Sequence, residues 1–87
     1  MRNAVRIDRS DNVATVLRDV SEREPIGWDE GPELVAREFI PEGHKVALVD
    51  IAEGEVVRKY GHPIGRAGRE IPAGTHVHIH NLAKEEA

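Results

Sequence analysis

The chain of 87 residues contains no cysteine, and it has only one Trp, one Tyr and one Phe. The lack of cysteine excludes disulfides and thiolate metal sites, and it fits a reducing compartment. Because aromatic side chains are so scarce, we expect a core built from Val, Ile, Leu and Ala. A chain of this size buries only roughly 60% of the surface that its unfolded form exposes, so we predict one domain with a thin core.

The sequence also lacks long apolar runs and long basic runs. No apolar run approaches the roughly 18 residues of a membrane-spanning helix, and the N-terminus lacks the apolar segment of a secretory signal. No basic run is longer than two residues, and the net charge of −4 argues against a nucleic-acid surface. The motifs of serine hydrolases, zinc proteases and dinucleotide-binding loops are absent. We therefore expect a cytoplasmic domain that binds neither nucleic acid nor membrane.

Turn-forming residues recur at short intervals and separate short segments rich in β-branched residues, which is typical of a compact all-β barrel or clip. Val13–Val20 and Pro32–Phe39 also allow a helical interpretation, and we interpret both as strand-forming. We predict at most one short helix, one domain over residues 1–82 and a charged tail over residues 83–87, and no internal repeat is visible. The predicted strands are Ala4–Ile7, Val13–Val20, Glu33–Phe39, Lys45–Leu48, Val56–Arg58 and Thr75–His80.

Two segments resemble each other, IPEGHK at residues 40–45 and IPAGTH at residues 71–76, and IAEGEVV at residues 51–57 is a variant without proline. Proline fixes φ at the first corner of a turn, and glycine supplies the positive φ that closes it. We predict that all three segments are corners that align the strands following them.

The stretch GTHVHIHN, residues 74–81, holds three of the five histidines of the chain. On a strand, alternation would direct Val77 and Ile79 into the core and the three histidines to the other side. Such a row can ligate a metal, contact an anionic substrate or a partner subunit, or simply face solvent. A His-X-His pair suits two ligands of one ion, but the outer two histidines would be about 13 Å apart on a straight strand. His44 would be a third ligand only if the turn after Pro41 folds over this strand.

A second group of polar residues lies in RKYGHPIGRA, residues 58–67, where Arg, Lys, Tyr and His side chains surround three glycine and proline positions. Backbone N–H groups near glycine, together with Arg and Lys, can form a cradle for a carboxylate or phosphate. The alternative is an ordinary solvated turn, and the residues alone do not distinguish the two.

The run from residue 43 to residue 82 resembles the small N-terminal domain of the altronate and galactarate dehydratase family, a SAF domain. The matching motifs are Gly43-His44-Lys45, Lys59-Tyr60-Gly61, Ile64-Gly65 and His76-Val77-His78 followed by His80-Asn81. The resemblance implies the β-clip fold and a lyase that removes water from a small anionic sugar acid with a divalent metal, expected to be iron(II). The similar small subunit of (2R)-sulfolactate sulfo-lyase gives an alternative function, and a non-catalytic binding or assembly module gives another.

The resemblance also implies a partner and a set of site residues. Dehydratases of this family carry a larger catalytic portion after this domain, so we expect the chain to need a large catalytic subunit, which would hold the tight metal site. His62 is left out because the family pattern does not fix that position. The implied catalytic residues are His76, His78, His80 and Lys59, the implied substrate-binding residues are His44, Lys45, Tyr60 and Asn81, and the implied metal ligands are His76 and His78.

Overall fold

The computed structural model describes residues 2–29 and 31–83, and no helix occurs in these ranges. The predicted all-β class is therefore confirmed. Since the described part of the chain is free of helices, it also contains none that could cross a membrane. The nine strands of the described residues are β1 (Ala4–Val5), β2 (Val13–Val16), β3 (Pro25–Ile26), β4 (Leu34–Val35), β5 (Lys45–Ala47), β6 (Val56–Lys59), β7 (His62–Ala67), β8 (His76–Val77) and β9 (Leu82–Ala83).

The strands form three antiparallel sheets, ordered β1-β2-β5-β8, β3-β4 and β6-β7-β9. The four-stranded sheet separates two hydrophobic clusters because successive residues of a strand point to opposite faces. Val13 and Ala47 pack into one cluster, whereas their neighbours Ala14 and Val46 pack into the other. Both clusters are mainly aliphatic, as the composition predicts. The central sheet is thus covered on both faces.

Each of the six predicted segments forms a strand, but five of the observed strands are shorter than predicted, and β6 extends one residue further, to Lys59. The segment Val13–Val20 leaves the strand conformation after Val16, and Val20 then forms an isolated bridge with Ile40. Strands β3, β7 and β9 were not predicted. Ala83, which the sequence places in the tail, pairs with Arg66 through β9, and the rest of the predicted tail lies outside the described residues.

The predicted corners are confirmed as turns. Gly43 and Gly74 have φ values of 83° and 88°, and Gly54 of the proline-free variant has 86°. In the first two turns the amide of the residue after glycine donates to the carbonyl of the proline, at 3.0 Å for His44 and 3.1 Å for Thr75. Each turn leads directly into the start of β5 or β8, and so the two turns set where these two strands begin.

The structure contains an internal repeat that the sequence analysis missed. The isolated bridges Val20↔Ile40 and Ile51↔Ile71 are related by an offset of 31 residues at both positions. The same offset relates the pairing of β3 with β4 to the first part of the pairing of β6 with β7. The Gly43 amide donates to the Val16 carbonyl just as the Gly74 amide donates to the Ala47 carbonyl. What repeats is the backbone conformation. The two copies share their turns and buried apolar positions, while most of their exposed residues differ.

Candidate functional site

The stretch containing three histidines is a strand only in its first part. Strand β8 ends at Val77, and residues 78–81 form a turn. Val77 is fully buried as predicted, but Ile79 has 84% of its surface exposed, so its predicted place in the core is wrong. The turn closes because the Asn81 amide donates to the His78 carbonyl at 3.1 Å. The bend after Val77 changes which histidines can meet.

Pairing of β5 with β8 brings a fourth histidine to this stretch. The register sets Lys45 opposite Val77 and Val46 opposite His76, so that His44 and His78 occupy the next opposed positions. Residues at opposed positions share a face of the sheet, and alternate residues of one strand share it too. His44, His76 and His78 therefore project together, and we call these three residues the histidine cluster.

The geometry of the histidine cluster is compact. Nδ1 of His44 lies 2.9 Å from Nε2 of His76, a hydrogen bond whose direction depends on the tautomers of the two rings. The His44 ring stacks on the His78 ring with centroids 4.5 Å apart, and the His76 and His78 centroids are 5.5 Å apart. One ring nitrogen from each of the three residues lies within 4.8 Å of the other two. All three side chains are half-buried.

The remaining two histidines lie outside this cluster. His80 is exposed, and its ring centroid lies 5.3 Å from that of His76, so it flanks the cluster. His62 begins β7 and is exposed. The structure therefore brings together His44, His76 and His78, with His80 at the border, rather than a straight row of three histidines on one strand.

The surroundings favour the neutral form of His76 and His78. Burial lowers the pKa of His76 below its ordinary value of 6.5, and the neighbouring His44 lowers it further. Burial also lowers the pKa of His78, followed by the effect of His44. The positive charge of nearby Lys45 also lowers the pKa of His78. The pKa of Lys45 is itself lowered, first by burial and then by the charge of Lys59. Near pH 7 the neutral ring therefore predominates at both histidines, with cationic lysine groups close by.

Two side chains fix the backbone that carries the cluster. Asn81 is 3% exposed, and its Oδ1 accepts from the His78 amide at 3.0 Å while its Nδ2 donates to the His76 carbonyl at 2.8 Å. Glu38 Oε2 accepts from the His76 amide at 3.0 Å. Because both polar atoms of the Asn81 side chain bond to backbone groups, we replace its expected substrate contact with a positioning role. The capacity of Asn to close such a turn was the sequence signal for this role.

The motif Lys59-Tyr60-Gly61 forms the tip of the β6–β7 hairpin. Tyr60 and Gly61 both have positive φ, 58° and 75°, which is the geometry of a two-residue hairpin turn. The Lys59 ammonium lies 4.8 Å from the centre of the Tyr60 ring, and Lys59 is near enough to Lys45 to lower its pKa. Lys59 and Lys45 are half-buried, whereas Tyr60 is 56% exposed. The stretch 58–67 is thus mostly an ordered hairpin and not a loop.

The sequence analysis missed the residues that hold this hairpin. Asp11 is 5% exposed, and its carboxylate accepts from the amides of Tyr60 at 3.0 Å and Gly61 at 2.8 Å. Next to it, Asn12 bonds both the Arg58 amide and the Val56 carbonyl along the edge of β6. The consecutive Asp11 and Asn12 between two strand segments were the available signal, because such side chains commonly satisfy backbone groups of turns.

A separate depression of about 330 Å³ is lined by Arg2, Arg6, Arg9 and Asp29. The Arg6 guanidinium lies 4.9 Å over the Trp28 ring and pairs with the Asp29 carboxylate at 3.8 Å. Asp29 therefore balances part of the positive charge, and Arg6 has structural partners that account for its place.

The fold and the site together define a small all-β domain in which strand pairing assembles half-buried imidazoles beside lysines. The family model described as the altronate/galactarate dehydratase SAF domain matches residues 2–85. The chain belongs to this family, as its motifs suggested.

Curated relatives include whole enzymes and a small subunit. The chain is 38% identical over 81 residues to altronate dehydratase of Bacillus subtilis (strain 168), covering 93% of this chain and 16% of that enzyme. It is 46% identical over 77 residues to altronate dehydratase of Escherichia coli (strain K12), covering 88% of this chain and 15% of that enzyme. It is 43% identical over 60 residues to (2R)-sulfolactate sulfo-lyase subunit alpha of Chromohalobacter salexigens, covering 64% of each chain. The chain thus spans about a sixth of the length of the dehydratases it matches.

Proposed function

We propose that the chain is the SAF part of a lyase of the altronate or galactarate dehydratase type, and that its histidine cluster lies at the active site. The observation that carries this proposal is the convergence of three half-buried imidazoles from two paired strands and the turns beside them, with Lys45 close by. The elimination requires removal of the proton α to a carboxylate and departure of the β-hydroxyl as water. Neutral imidazoles can accept or donate those protons or ligate a metal ion, and lysines attract the carboxylate.

Roles for individual residues follow from their positions around the cluster. Lys45 and Lys59 are half-buried cations that can bind the substrate carboxylate, and Tyr60 offers a hydroxyl at the hairpin tip. A divalent metal, expected to be iron(II), supplies a Lewis acid when it is bound. The proposed catalytic residues are His76, His78, His80 and Lys59, and the proposed substrate contacts are His44, Lys45 and Tyr60.

A larger catalytic portion is the proposed partner, because the relatives are either much longer enzymes or the alpha subunit of a lyase. Ile79 supports a contact at the cluster itself. It is 84% exposed at the tip of the turn between His78 and His80, where an apolar side chain gains by being covered. We propose that the catalytic portion contacts the SAF part at this turn.

A second candidate function is that of a (2R)-sulfolactate sulfo-lyase alpha subunit. The observation favouring it is that the match covers 64% of that small subunit as well as 64% of this chain. Its reaction would be the parallel elimination with sulfite in place of water, and the same cluster would face a sulfonated hydroxy acid.

Reconstitution tests these proposals. The chain is combined with the catalytic portion from the same genome, whether that portion is continuous with it or separately encoded. Dehydration of altronate and galactarate and release of sulfite from sulfolactate are then measured. Turnover of a sugar acid only in the presence of this chain supports the first function, and sulfite release supports the second. Equal activity with and without the chain would leave only a binding or assembly role.

A further inference from the structure

We infer that His44, His76 and His78 form a complete three-ligand site for one divalent transition-metal ion within this chain. The three residues come from the two strands β5 and β8 and the turns beside them, and no residue of another polypeptide is needed to bring them together. From the sequence we expect the tight metal site on a large subunit, because His44 can be a third ligand only if the turn after Pro41 brings it to the other histidines. That condition is met, since antiparallel pairing places His44 opposite His78.

The distances suit a single ion. With metal–nitrogen bonds of about 2.0–2.1 Å, ligand nitrogens around one ion lie roughly 3.0–3.4 Å apart. Nδ1 of His44 and Nε2 of His76 are already 2.9 Å apart, and one ring nitrogen from each of the three residues lies within 4.8 Å of the others. Small rotations of half-buried rings close the remaining gap. Two rings that now share one proton in a hydrogen bond would instead both direct lone pairs at the ion.

The chemistry of the ligands selects the type of ion. Three imidazoles suit zinc, iron, cobalt, nickel or copper, whereas magnesium and calcium prefer oxygen ligands. Three protein ligands leave at least one position open for water or substrate, as in catalytic zinc sites. Imidazole binds a metal ion through a ring nitrogen in its neutral form.

The backbone around the ligands is already organised. Asn81 bonds the backbone of both His76 and His78, and Glu38 bonds the amide of His76. On the other strand, the His44 amide closes the turn from Pro41, and its carbonyl accepts from the Val16 amide at 3.0 Å. Little chain ordering is therefore left to oppose metal binding, which favours affinity.

The test is direct metal titration of the 87-residue chain, purified without a polyhistidine tag. Zinc binding is followed by calorimetry, and cobalt(II) binding by its visible absorption. We expect one ion per chain with micromolar or tighter affinity, and we expect His44→Ala, His76→Ala and His78→Ala each to weaken binding by at least about tenfold. The matched controls are His62→Ala and His80→Ala, which remove imidazoles outside the set and should change affinity by a small factor only.

NMR of the unsubstituted chain tests the site even if some of the variants fail to fold. Zinc should shift the ring-proton NMR signals of His44, His76 and His78 and leave those of His62 in place. Absence of saturable binding, or equal weakening by His62→Ala, would overturn the inference. The result is independent of catalysis: binding without reconstituted activity would count against the proposed function alone, and reconstituted activity without binding would count against this site alone.

Discussion

Val77 and His78 are consecutive residues with opposite environments, and they give the clearest test at the residue scale. Val77 is fully buried, whereas the His78 ring is half-buried and stacks on His44. We expect His78→Ala to change the melting temperature little, because a partly exposed ring adds little packing. The same change should lower the activity of the complete enzyme by about tenfold or more, roughly 1.4 kcal/mol of transition-state stabilisation.

Val77→Asp is the matched change on the neighbouring residue. It places an unpaired charge among the buried aliphatic residues and should unfold the domain. Thermal unfolding followed by circular dichroism, together with turnover of the reconstituted enzyme, measures both variants. If His78→Ala instead lost most of its folding stability and kept its activity, the ring would be structural.

Asn81 gives a second residue-scale prediction. Asn81→Ala removes a donor and an acceptor and leaves the His78 amide and the His76 carbonyl without their side-chain partner. Unsatisfied buried polar groups cost about 1–3 kcal/mol each, so we expect a clear loss in the free energy of unfolding by urea. Asn81→Asp keeps an acceptor for the amide and should lose less. A positioning role also predicts that zinc affinity falls in parallel with the loss of these bonds, and unchanged affinity would contradict that role.

At the scale of elements, turns were predictable and strand ends were not. The Pro-X-Gly corners are encoded locally by residues that fix φ, so residues 40–45 and 71–76 were identified correctly. The end of β8 was missed because apolar Ile79 continues the alternation, although Asn81 captures the His78 amide and turns the chain. Strand β7 was missed because His62, Pro63 and Gly65 resemble a loop, whereas pairing with β6 and β9 makes them a strand. Meeting of His44 with His78 depends on long-range pairing, which no local pattern encodes.

The two Pro-X-Gly turns allow a matched prediction at this scale. Gly43 and Gly74 have nearly equal φ, 83° and 88°, so an alanine side chain at either meets the same backbone strain of about 1–2 kcal/mol. A Cβ at Gly43 would enter open space, whereas at Gly74 it would lie 2.4 Å from the Val35 carbonyl oxygen. We therefore expect Gly74→Ala to lower the free energy of unfolding by clearly more than Gly43→Ala, measured by urea denaturation. Equal losses would mean that β4 moves freely away from this turn.

On the scale of the whole molecule, the 31-residue repeat explains where the site lies. The turn before β5 and the turn before β8 are equivalent corners of the two repeats, and they lead into strands that pair antiparallel. The pairing brings the starts of two related segments together, and each segment carries its own polar residues there. His44 has Thr75 as its counterpart, and His76 has Lys45, so the site arises from differences between the repeats on a shared framework.

The size of the molecule leads to the last prediction, which is that the 87-residue chain alone has no lyase activity. The histidine cluster lies at a surface, with His80 and Ile79 exposed beside it, and an exposed site cannot exclude water from an elimination or surround a polyhydroxylated acid. Metal binding by the cluster would not change this, since an ion without a substrate pocket supplies only part of the transition-state stabilisation. The purified chain, loaded with iron(II) under anaerobic conditions, is incubated with altronate, galactarate and sulfolactate, and keto-acid product or sulfite is measured. We expect rates equal to those of the His76→Ala variant treated in the same way. Turnover that exceeds this control would show that the cluster and its lysines are a sufficient active site, and the catalytic portion would then serve another purpose.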